Sequence, residues 1–256
     1  MSQLKFTKMN GWGNDFVVLT GPIEMGPADI SSLCDRRFGI GADGVLVATR
    51  GAPIAMEYWN SDGSAAEMCG NGLRCVAQYA FDQGWVDEPT FEVQTPDGIR
   101  RVSVRADLVE VELGPVTING HTQIDGERFH LIDVGNPHAV VEVDSPVDAD
   151  VAGIGSRLQA DERFPEGTNV EFVRFEPDGL TMRVWERGVG ETLACGTGMV
   201  AAAFVATKAV KQPTPVTVRV PGGEGRVDFR DGSAWLEGPA SYSFDGVWSR
   251  ALTGRG

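Results

Sequence analysis

A short cysteine-glycine motif occurs twice in this chain, each time directly before an apolar run of helix-forming residues. The first copy, Cys-Gly-Asn-Gly, starts at Cys69, and the second, Cys-Gly-Thr-Gly, starts at Cys195. The two cysteines lie 126 residues apart in a chain of 256, close to half of its length. This spacing predicts two similar halves, each organised around a helix that begins just after a thiol.

Each cysteine is predicted to lie at the N-terminus of its helix, where the first backbone N–H groups have no partner within the helix. The partial positive charge there favours a thiolate over a thiol and also suits a bound anion. For a single cysteine beside glycines, a buried structural role is the competing interpretation. The repetition of the whole turn favours a functional role for both Cys69 and Cys195.

Short strands separated by turn residues surround both helical runs. The predicted strands are 91–95, 100–105 and 108–113 after the first run, and 216–220, 225–229 and 234–238 after the second. A helix surrounded by short strands in each half predicts an α+β protein with mostly antiparallel sheet. The pair Gly114-Pro115 predicts the boundary at the end of the first half, 1–114.

Composition excludes several classes of partner. An apolar content of 42% and a charged content of 23% are ordinary for a globular protein. The formal charge of −14 argues against a nucleic-acid or anionic-membrane partner, because either favours a basic patch. The N-terminal residues lack the apolar core of a signal peptide, and the longest apolar run, 193–206, is too short to span a bilayer. We therefore expect a cytoplasmic protein.

No metal or cofactor is expected. The four cysteines form no Cys-x-x-Cys pair, and the chain has only three histidines, so no metal-ligand spacing stands out. Pyridoxal phosphate needs a lysine for its Schiff base. None of the four lysines lies in a motif that looks catalytic; they are Lys5, Lys8, Lys208 and Lys211.

Two thiols at helix N-termini suggest a specific chemistry. If the two halves face each other, a substrate carboxylate could be held by backbone N–H groups of both turns. These groups belong to Gly70, Asn71, Gly196 and Thr197. One thiolate would then remove the proton from the α-carbon, while the opposite thiol returns a proton to the other face and inverts the centre.

Two other interpretations of the cysteines remain. Acyl transfer through a Cys–His pair could use His138, but it would not explain the duplicated cysteine. A structural or redox-sensing disulfide between Cys69 and Cys195 is a non-enzymatic alternative.

Polar residues gather where predicted strands end. Asn60, Asn136 and Asn169 lie beside turns, His138 follows a proline, and Glu186-Arg187 ends a strand. Taken singly, each has an ordinary structural explanation, such as a turn former or a solvated ion pair. We call the two cysteine-glycine turns, 69–72 and 195–198, the thiol turns. The common position of these polar residues beside the thiol turns predicts a polar lining for one cleft.

The motifs resemble those of the diaminopimelate epimerase family over nearly the whole chain. Matching segments are Asn14 in Gly-Asn-Asp-Phe, Asn60 and Cys69 in Asn-x-Asp-Gly-Ser-x-x-Glu-Met-Cys-Gly-Asn-Gly-x-Arg-Cys, Asn136 and His138 in Gly-Asn-Pro-His, Asn169 in Thr-Asn-Val, and Glu186, Arg187 and Cys195 in Glu-Arg-Gly-x-Gly-Glu-Thr-x-Ala-Cys-Gly-Thr-Gly. The resemblance implies cofactor-independent interconversion of LL- and meso-diaminopimelate, on the route to lysine and peptidoglycan. It also implies two pseudo-symmetric halves, each a sheet barrel around a central helix.

The resemblance assigns roles to individual residues. Cys69 and Cys195 would be the acid/base thiols, with the reacting carboxylate on Gly70, Asn71, Gly196 and Thr197. Glu186, helped by His138, would orient the reacting end and its ammonium group. The distal amino-acid end would be held by Asn14, Asn60, Asn136, Asn169 and Arg187, where a guanidinium can grip a carboxylate at two points. The resemblance also implies a homodimer, a second half at 115–244, and a last strand, about 245–256, that returns to the first half.

Two positions depart from the family pattern. Gly44 replaces a glutamine that touches substrate in some relatives, and Trp12 replaces a smaller residue, so we expect an altered pocket lip. A related two-cysteine racemase of a one-carboxylate amino acid, such as histidine, is the alternative function; Arg187 and the asparagines argue against it. Proline racemase-like proteins share the thiol turns but typically carry histidine at the position of Asn71.

Overall fold

The structure is a computed structural model that describes residues 3–66 and 69–249. It divides into two compact units, which are described separately below. The first unit runs through Val109 and takes up the chain again at Pro239, and the second unit is Glu110–Gly238. Within the described ranges, no helix combines the length and apolar composition needed to cross a membrane.

The described residues of the first unit form two helices and mostly antiparallel strands. Its elements are β1 (Gln3–Gly11), β2 (Asn14–Thr20), α1 (Pro27–Cys34), β3 (Gly44–Thr49), β4 (Ile54–Asn60), α2 (Gly70–Asp82), β5 (Thr90–Thr95) and β6 (Gly98–Arg105). The following strand, β7 (Leu108–Gly114), runs across the boundary between the units.

The second unit has the same kinds of element. They are β8 (Thr117–Ile124), β9 (Glu127–Asp133), β10 (Pro137–Glu142), α3 (Val151–Gln159), β11 (Asn169–Glu176), β12 (Gly179–Glu186), β13 (Gly190–Thr192), α4 (Gly196–Val205), a π-helical extension (Ala206–Val210), β14 (Val216–Val220), β15 (Gly223–Arg230) and β16 (Ser233–Pro239). The last strand, β17 (Ser241–Ser249), belongs to the first unit and pairs antiparallel with β1.

The strand pairings recur in the same order in both units. In the first, β1–β2 is antiparallel, β2–β3 parallel, β3–β4 antiparallel, β4–β5 parallel and β5–β6 antiparallel. In the second, β9–β10 is antiparallel, β10–β11 parallel, β11–β12 antiparallel, β12–β14 parallel and β14–β15 antiparallel. The repeat of the cysteine motif is therefore a repeat of the whole fold.

Each unit is built around one buried helix. Helix α2 buries every residue from Gly70 to Ala80, and α4 buries nearly all of its residues. Helix α2 contacts β1, β2, β3, β4 and β6, while α4 contacts β9, β10, β11, β14 and β15. A helix that is covered on all sides lies inside its sheet rather than against one face. The predicted α+β fold, with two pseudo-symmetric halves around central helices, is confirmed.

The predicted domain limits can be compared with the two units. The units divide at Val109/Glu110 and at Gly238/Pro239, a few residues before the predicted limits at 114 and 244. The returning strand starts at Ser241 rather than at about residue 245. Its first residue, Ser241, pairs with Asn10 of β1. The part of that prediction that falls on 250–256 lies outside the described residues.

Candidate active site

The first thiol turn forms the cap of α2. Cys69 has extended backbone geometry, with φ −144° and ψ 111°, and its Sγ accepts the N–H of Gly72 at 3.4 Å. The carbonyl of Cys69 accepts the N–H of Leu73 at 2.8 Å. A side chain that accepts from the third residue of the helix is the geometry of an N-cap, a position that usually carries serine, threonine or aspartate. The half-buried sulfur therefore lies at the positive end of a buried helix.

A chain of directed hydrogen bonds fixes the surroundings of Cys69. Arg74 Nη2 donates to Asn71 Oδ1 at 2.9 Å, and Asn71 Nδ2 donates to Asn14 Oδ1 at 3.1 Å. Asn14 Nδ2 in turn donates to Asp43 Oδ2 at 2.9 Å. A guanidinium only donates and a carboxylate only accepts, so the two ends determine the orientation of both amides. As a result, Asn14 presents its oxygen to Cys69 Sγ, at 3.7 Å.

The guanidinium at the head of this chain is completely buried. It lies 3.9 Å from the ring centroid of Trp12, and its Nε donates to the carbonyl of Pro239 at 3.1 Å. Burial lowers the pKa of Arg74 to about 10, which leaves the group charged at neutral pH. A Cβ on Gly11 would lie 2.7 Å from Arg74 Nη2, so a larger residue there would displace the buried guanidinium.

The two departures from the family pattern have specific structural positions. Trp12 is only 3% exposed and packs on Arg74, so its indole supports the hydrogen-bond chain and is not an exposed lip residue. A Cβ on Gly44 would lie 2.5 Å from the carbonyl oxygen of Trp59 and 2.7 Å from the ring of Tyr58. A side chain at position 44 would therefore require a shift of the β4 backbone.

Asn60 is not joined to this chain by its hydrogen bonds. Its Nδ2 donates to Ser64 Oγ at 3.0 Å, and its backbone N–H donates to the Ser64 carbonyl at 2.9 Å. These contacts close the turn after β4. Asn60 nevertheless lies directly opposite Gly44 in the β3–β4 pairing, at the end of the sheet where Asn14 begins β2.

The second thiol turn caps α4 in the same way. Cys195 Sγ accepts the N–H of Gly198 at 3.4 Å and lies 3.4 Å from Thr197 Oγ1. The pKa of Cys195 lies well above its usual value, first because of burial and then because Glu186 and Glu171 place negative charge nearby. Burial also raises the pKa of Glu186, although hydrogen bonds with Thr192 and Cys195 lower it in part. This environment favours a protonated Cys195.

A second hydrogen-bond chain leads away from Cys195. Asn136 Nδ2 donates to Thr197 Oγ1 at 3.4 Å, and Asn136 Oδ1 lies 2.9 Å from His138 Nε2. His138 Nδ1 lies 2.7 Å from Glu171 Oε1, and neither of these side chains is exposed. Three side chains, those of His138, Asn136 and Thr197, therefore connect the buried carboxylate of Glu171 to the sulfur of Cys195.

Asn169 and Arg187 form a separate part of the second unit. Asn169 Nδ2 donates to the Pro137 carbonyl, and its Oδ1 accepts the backbone N–H of Arg187, both at 2.9 Å. Both ends of this amide are thus engaged within the protein. Arg187 is exposed, and its Nη1 donates to the Glu166 carbonyl at 3.1 Å. Asn169 therefore positions the start of the arginine side chain, whose guanidinium faces solvent.

Each unit thus offers a thiol, the backbone N–H groups of the first turn of a buried helix, and polar side chains held in fixed orientations. The N–H groups of Gly70 and Asn71, and those of Gly196 and Thr197, suit a carboxylate. All four cysteines are free thiols in the structure. Among the described residues, no group of three or more metal-ligand side chains could hold a metal ion.

Sequence reasoning missed three residues at these turns: Arg74, Asp43 and Glu171. Arg74 and Glu171 each place a charged group among apolar neighbours, in Leu-Arg-Cys-Val and Val-Glu-Phe-Val respectively. A charge within a predicted buried element requires a specific partner, which was the available signal. Asp43 gave no such signal, because its loop reads as an ordinary glycine-rich turn.

The comparisons with known proteins agree with the motifs. A family model described as diaminopimelate epimerase matches residues 6–119 and 130–242. A diaminopimelate epimerase of Thermobifida fusca is 42% identical over 268 residues, covering 95% of this chain and 97% of the relative. One of Desulfitobacterium hafniense is 38% identical over 276 residues, covering 95% of this chain and 98% of the relative.

Solved structures with low sequence identity share the fold. A phenazine biosynthesis protein of the PhzF family from Bacillus anthracis has a TM-score of 0.76 at 13% identity, covering 98% of this chain and 100% of that chain. A hydroxyproline epimerase from Agrobacterium vitis has a TM-score of 0.70 at 17% identity, covering 96% and 92% respectively. At these identities the likeness concerns the fold alone.

The charge of Glu186 should control the reactivity of Cys195. In Glu186→Gln the side chain keeps its shape but loses the negative charge that disfavours a thiolate at Cys195. We expect iodoacetamide to alkylate Cys195 about tenfold faster at pH 8, measured by peptide mass spectrometry without any substrate. Glu142→Gln, which removes an exposed charge from the same unit, should leave the rate unchanged. An equal rate in Glu186→Gln and the parent protein would contradict this account.

Proposed function

The chain belongs to the diaminopimelate epimerase family, and we propose that it interconverts LL-2,6-diaminopimelate and meso-2,6-diaminopimelate without a cofactor. It is an isomerase whose reaction supplies lysine and peptidoglycan precursor synthesis. The observation that carries the proposal is the pair of cysteine-capped helices, Cys69 on α2 and Cys195 on α4, in equivalent positions of two repeated units. The full-length similarity to the curated relatives supports the same reaction.

The reaction needs two proton transfers at one carbon. In the proposed mechanism, the sulfur of one cysteine, as a thiolate, takes the proton from the α-carbon. The thiol of the other cysteine gives its proton to the opposite face. The centre is inverted, and the two thiols have exchanged protonation states, so the same pair catalyses both directions. Backbone N–H groups of Gly70, Asn71, Gly196 and Thr197 would bind the carboxylate, on which negative charge develops when the α-proton leaves.

The polar side chains are assigned to the two ends of the substrate, the reacting end and the distal end. Glu186, supported by His138, would bind and orient the ammonium group at the reacting centre. Asn14, whose Oδ1 accepts from Asn71 and whose Nδ2 gives one hydrogen to Asp43, would help to hold the distal end with its second Nδ2 hydrogen. Arg187 would grip the distal carboxylate, with Asn60, Asn136 and Asn169 completing that end or holding it in place.

Isotope exchange tests the proposal directly. Purified, reduced protein should convert LL-diaminopimelate to the meso form in deuterated water, with deuterium appearing at one α-carbon and no cofactor added. Mass spectrometry and chiral chromatography measure both events. Cys69→Ala and Cys195→Ala should each abolish conversion, because each removes one of the two acid/base groups. Unchanged conversion in Cys195→Ala, or a requirement for pyridoxal phosphate, would eliminate the proposal.

The proposed contact of Arg187 with the distal carboxylate distinguishes diaminopimelate from a one-carboxylate amino acid such as histidine. Arg187→Ala removes a charge-assisted, two-point contact, so kcat/KM for LL-diaminopimelate should fall about 100-fold. Arg187→Lys, which keeps the charge but loses the planar fork, should recover only part of the loss. Arg226→Ala, at an exposed position of β15, is the matched control and should retain full activity. Full activity in Arg187→Ala would favour the alternative racemase.

A homodimer belongs to the same proposal, as do a cytoplasmic location and the absence of a nucleic-acid partner. The support for a second copy of this chain is β17, which pairs with β1 and carries exposed apolar side chains. Tyr242 is 45% exposed, Phe244 51% and Val247 52%. Exposed apolar side chains gathered on one strand are a common surface for association. The four free thiols and the charge of −14 are consistent with the other two expectations.

The dimer proposal predicts the effect of one substitution. Phe244→Asp places a charge in the proposed interface and should convert a dimer to a monomer in sedimentation equilibrium. Ile118→Asp, which places the same charge on an exposed apolar position of β8, is the control and should preserve the dimer. A parent protein that sediments as a monomer would refute the proposal.

A further inference from the structure

We propose that Glu171 is a positioning residue that keeps a hydrogen on His138 Nε2 and thereby makes Thr197 donate a hydrogen bond to Cys195 Sγ. The residue acts through three others and need not touch substrate. Its meaning for catalysis rests on the proposed function, but the arrangement itself can be tested without substrate.

The first step concerns the burial of Glu171. Its side chain is fully buried on β11, and Oε1 lies 2.7 Å from His138 Nδ1. Oε2 is also buried and has no hydrogen-bond partner among the described residues. A carboxylate held in this way is costly unless a positive charge or a proton compensates it. The Glu171–His138 pair is therefore expected to hold one proton more than a carboxylate beside a neutral imidazole.

The second step follows that proton. Either the pair is a carboxylate beside an imidazolium, or it is a carboxylic acid that donates to Nδ1 of a neutral ring. In both cases Nε2 carries a hydrogen. The atom that faces Nε2, at 2.9 Å, is Asn136 Oδ1, which can only accept. The orientation of the Asn136 amide thus agrees with a hydrogen on Nε2.

The third step leads to the sulfur. With Oδ1 turned toward His138, Asn136 Nδ2 donates to Thr197 Oγ1 at 3.4 Å. The hydroxyl has accepted one hydrogen bond, so its own hydrogen is free to point at Cys195 Sγ, also at 3.4 Å. If Nε2 lacked its hydrogen, Asn136 would reverse and Thr197 would donate to the amide instead. The proton on the buried pair thus decides whether the sulfur receives this hydrogen bond.

The final step is the effect on Cys195. Burial and the charges of Glu186 and Glu171 oppose a thiolate there, whereas the N–H of Gly198 and the hydroxyl of Thr197 favour it. Glu171 therefore has two opposing effects on Cys195. As a carboxylate, Glu171 disfavours the thiolate directly through its charge, and in either protonation form its hydrogen bond to His138 supports the thiolate through the chain.

Two substitutions at position 171 separate these effects, because both remove the charge. Gln can donate its amide hydrogen to Nδ1, which keeps the hydrogen on Nε2, whereas Met cannot. We expect Cys195 in Glu171→Met to be alkylated by iodoacetamide about fivefold more slowly at pH 8 than in Glu171→Gln. Its rate-versus-pH curve should also shift to higher pH. If only the charge mattered, the two variants would have equal rates and equal curves, and that result would overturn the proposal.

A second pair of variants tests the end of the chain and does not depend on the folding of the buried substitutions. Thr197→Val removes the hydroxyl and should slow alkylation of Cys195 about fivefold, whereas Thr197→Ser should restore the parent rate. Glu142→Gln serves as the charge control. An unchanged rate in Thr197→Val would also overturn the proposal.

Nuclear magnetic resonance of ¹⁵N-histidine-labelled protein gives the matching spectroscopic readout. The parent protein and Glu171→Gln should both show a hydrogen on His138 Nε2, and Glu171→Met should show a mixture of tautomers. A parent protein with Nε2 unprotonated at neutral pH would refute the proposed direction of the chain. Because no substrate is present in any of these measurements, failure here would leave the proposed epimerase reaction to be judged by isotope exchange alone.

Discussion

The N-terminal capping of a buried helix by a cysteine sulfur is the interaction on which the rest of this architecture depends. In each unit, Sγ accepts the backbone N–H of the third helical residue, so the sulfur is held within a few ångströms of the positive end of the helix. Because α2 and α4 are covered on nearly all sides, this end cannot shift without disturbing the surrounding strands. The cap therefore gives each thiol a fixed position and a local environment rich in N–H donors.

The two caps share one geometry but differ in the groups behind them. Near Cys69, the amides of Asn71 and Asn14 lie between a guanidinium that only donates and a carboxylate that only accepts. Near Cys195, the corresponding chain ends in a histidine and a glutamate, whose hydrogens can be rearranged. A reversible reaction that uses two thiols as acid and base requires that each thiol can gain and lose a proton. The repeated fold gives each thiol the equivalent place within its own unit, and a different hydrogen-bond chain surrounds each sulfur.

The extent to which the sequence predicted this structure depends on the range of each interaction. The cysteine caps and their helices were predictable, because the glycines, the thiol and the helical run lie within a few residues of one another. The orientations of the Asn14 and Asn71 amides were less predictable, since Asn14 is held by Asp43 and Asn71 contacts Asn14, and these partners are distant in the sequence. The position of Trp12 could not be predicted for the same reason, because its indole contacts the guanidinium of Arg74, which lies on α2. Arg74 and Glu171 were visible as charges in apolar segments, but their partners were not.

The pairing of β17 with β1 also affects how the protein is made. The strand that completes the sheet of the first unit is encoded after the whole of the second unit. Translation proceeds from the N-terminus at about 5–20 residues per second, so β1 emerges from the ribosome long before its outer partner exists. The second unit, being continuous in sequence, can close first. The nascent chain must therefore keep the free edge of β1 from pairing with other strands until its final segment has been synthesised.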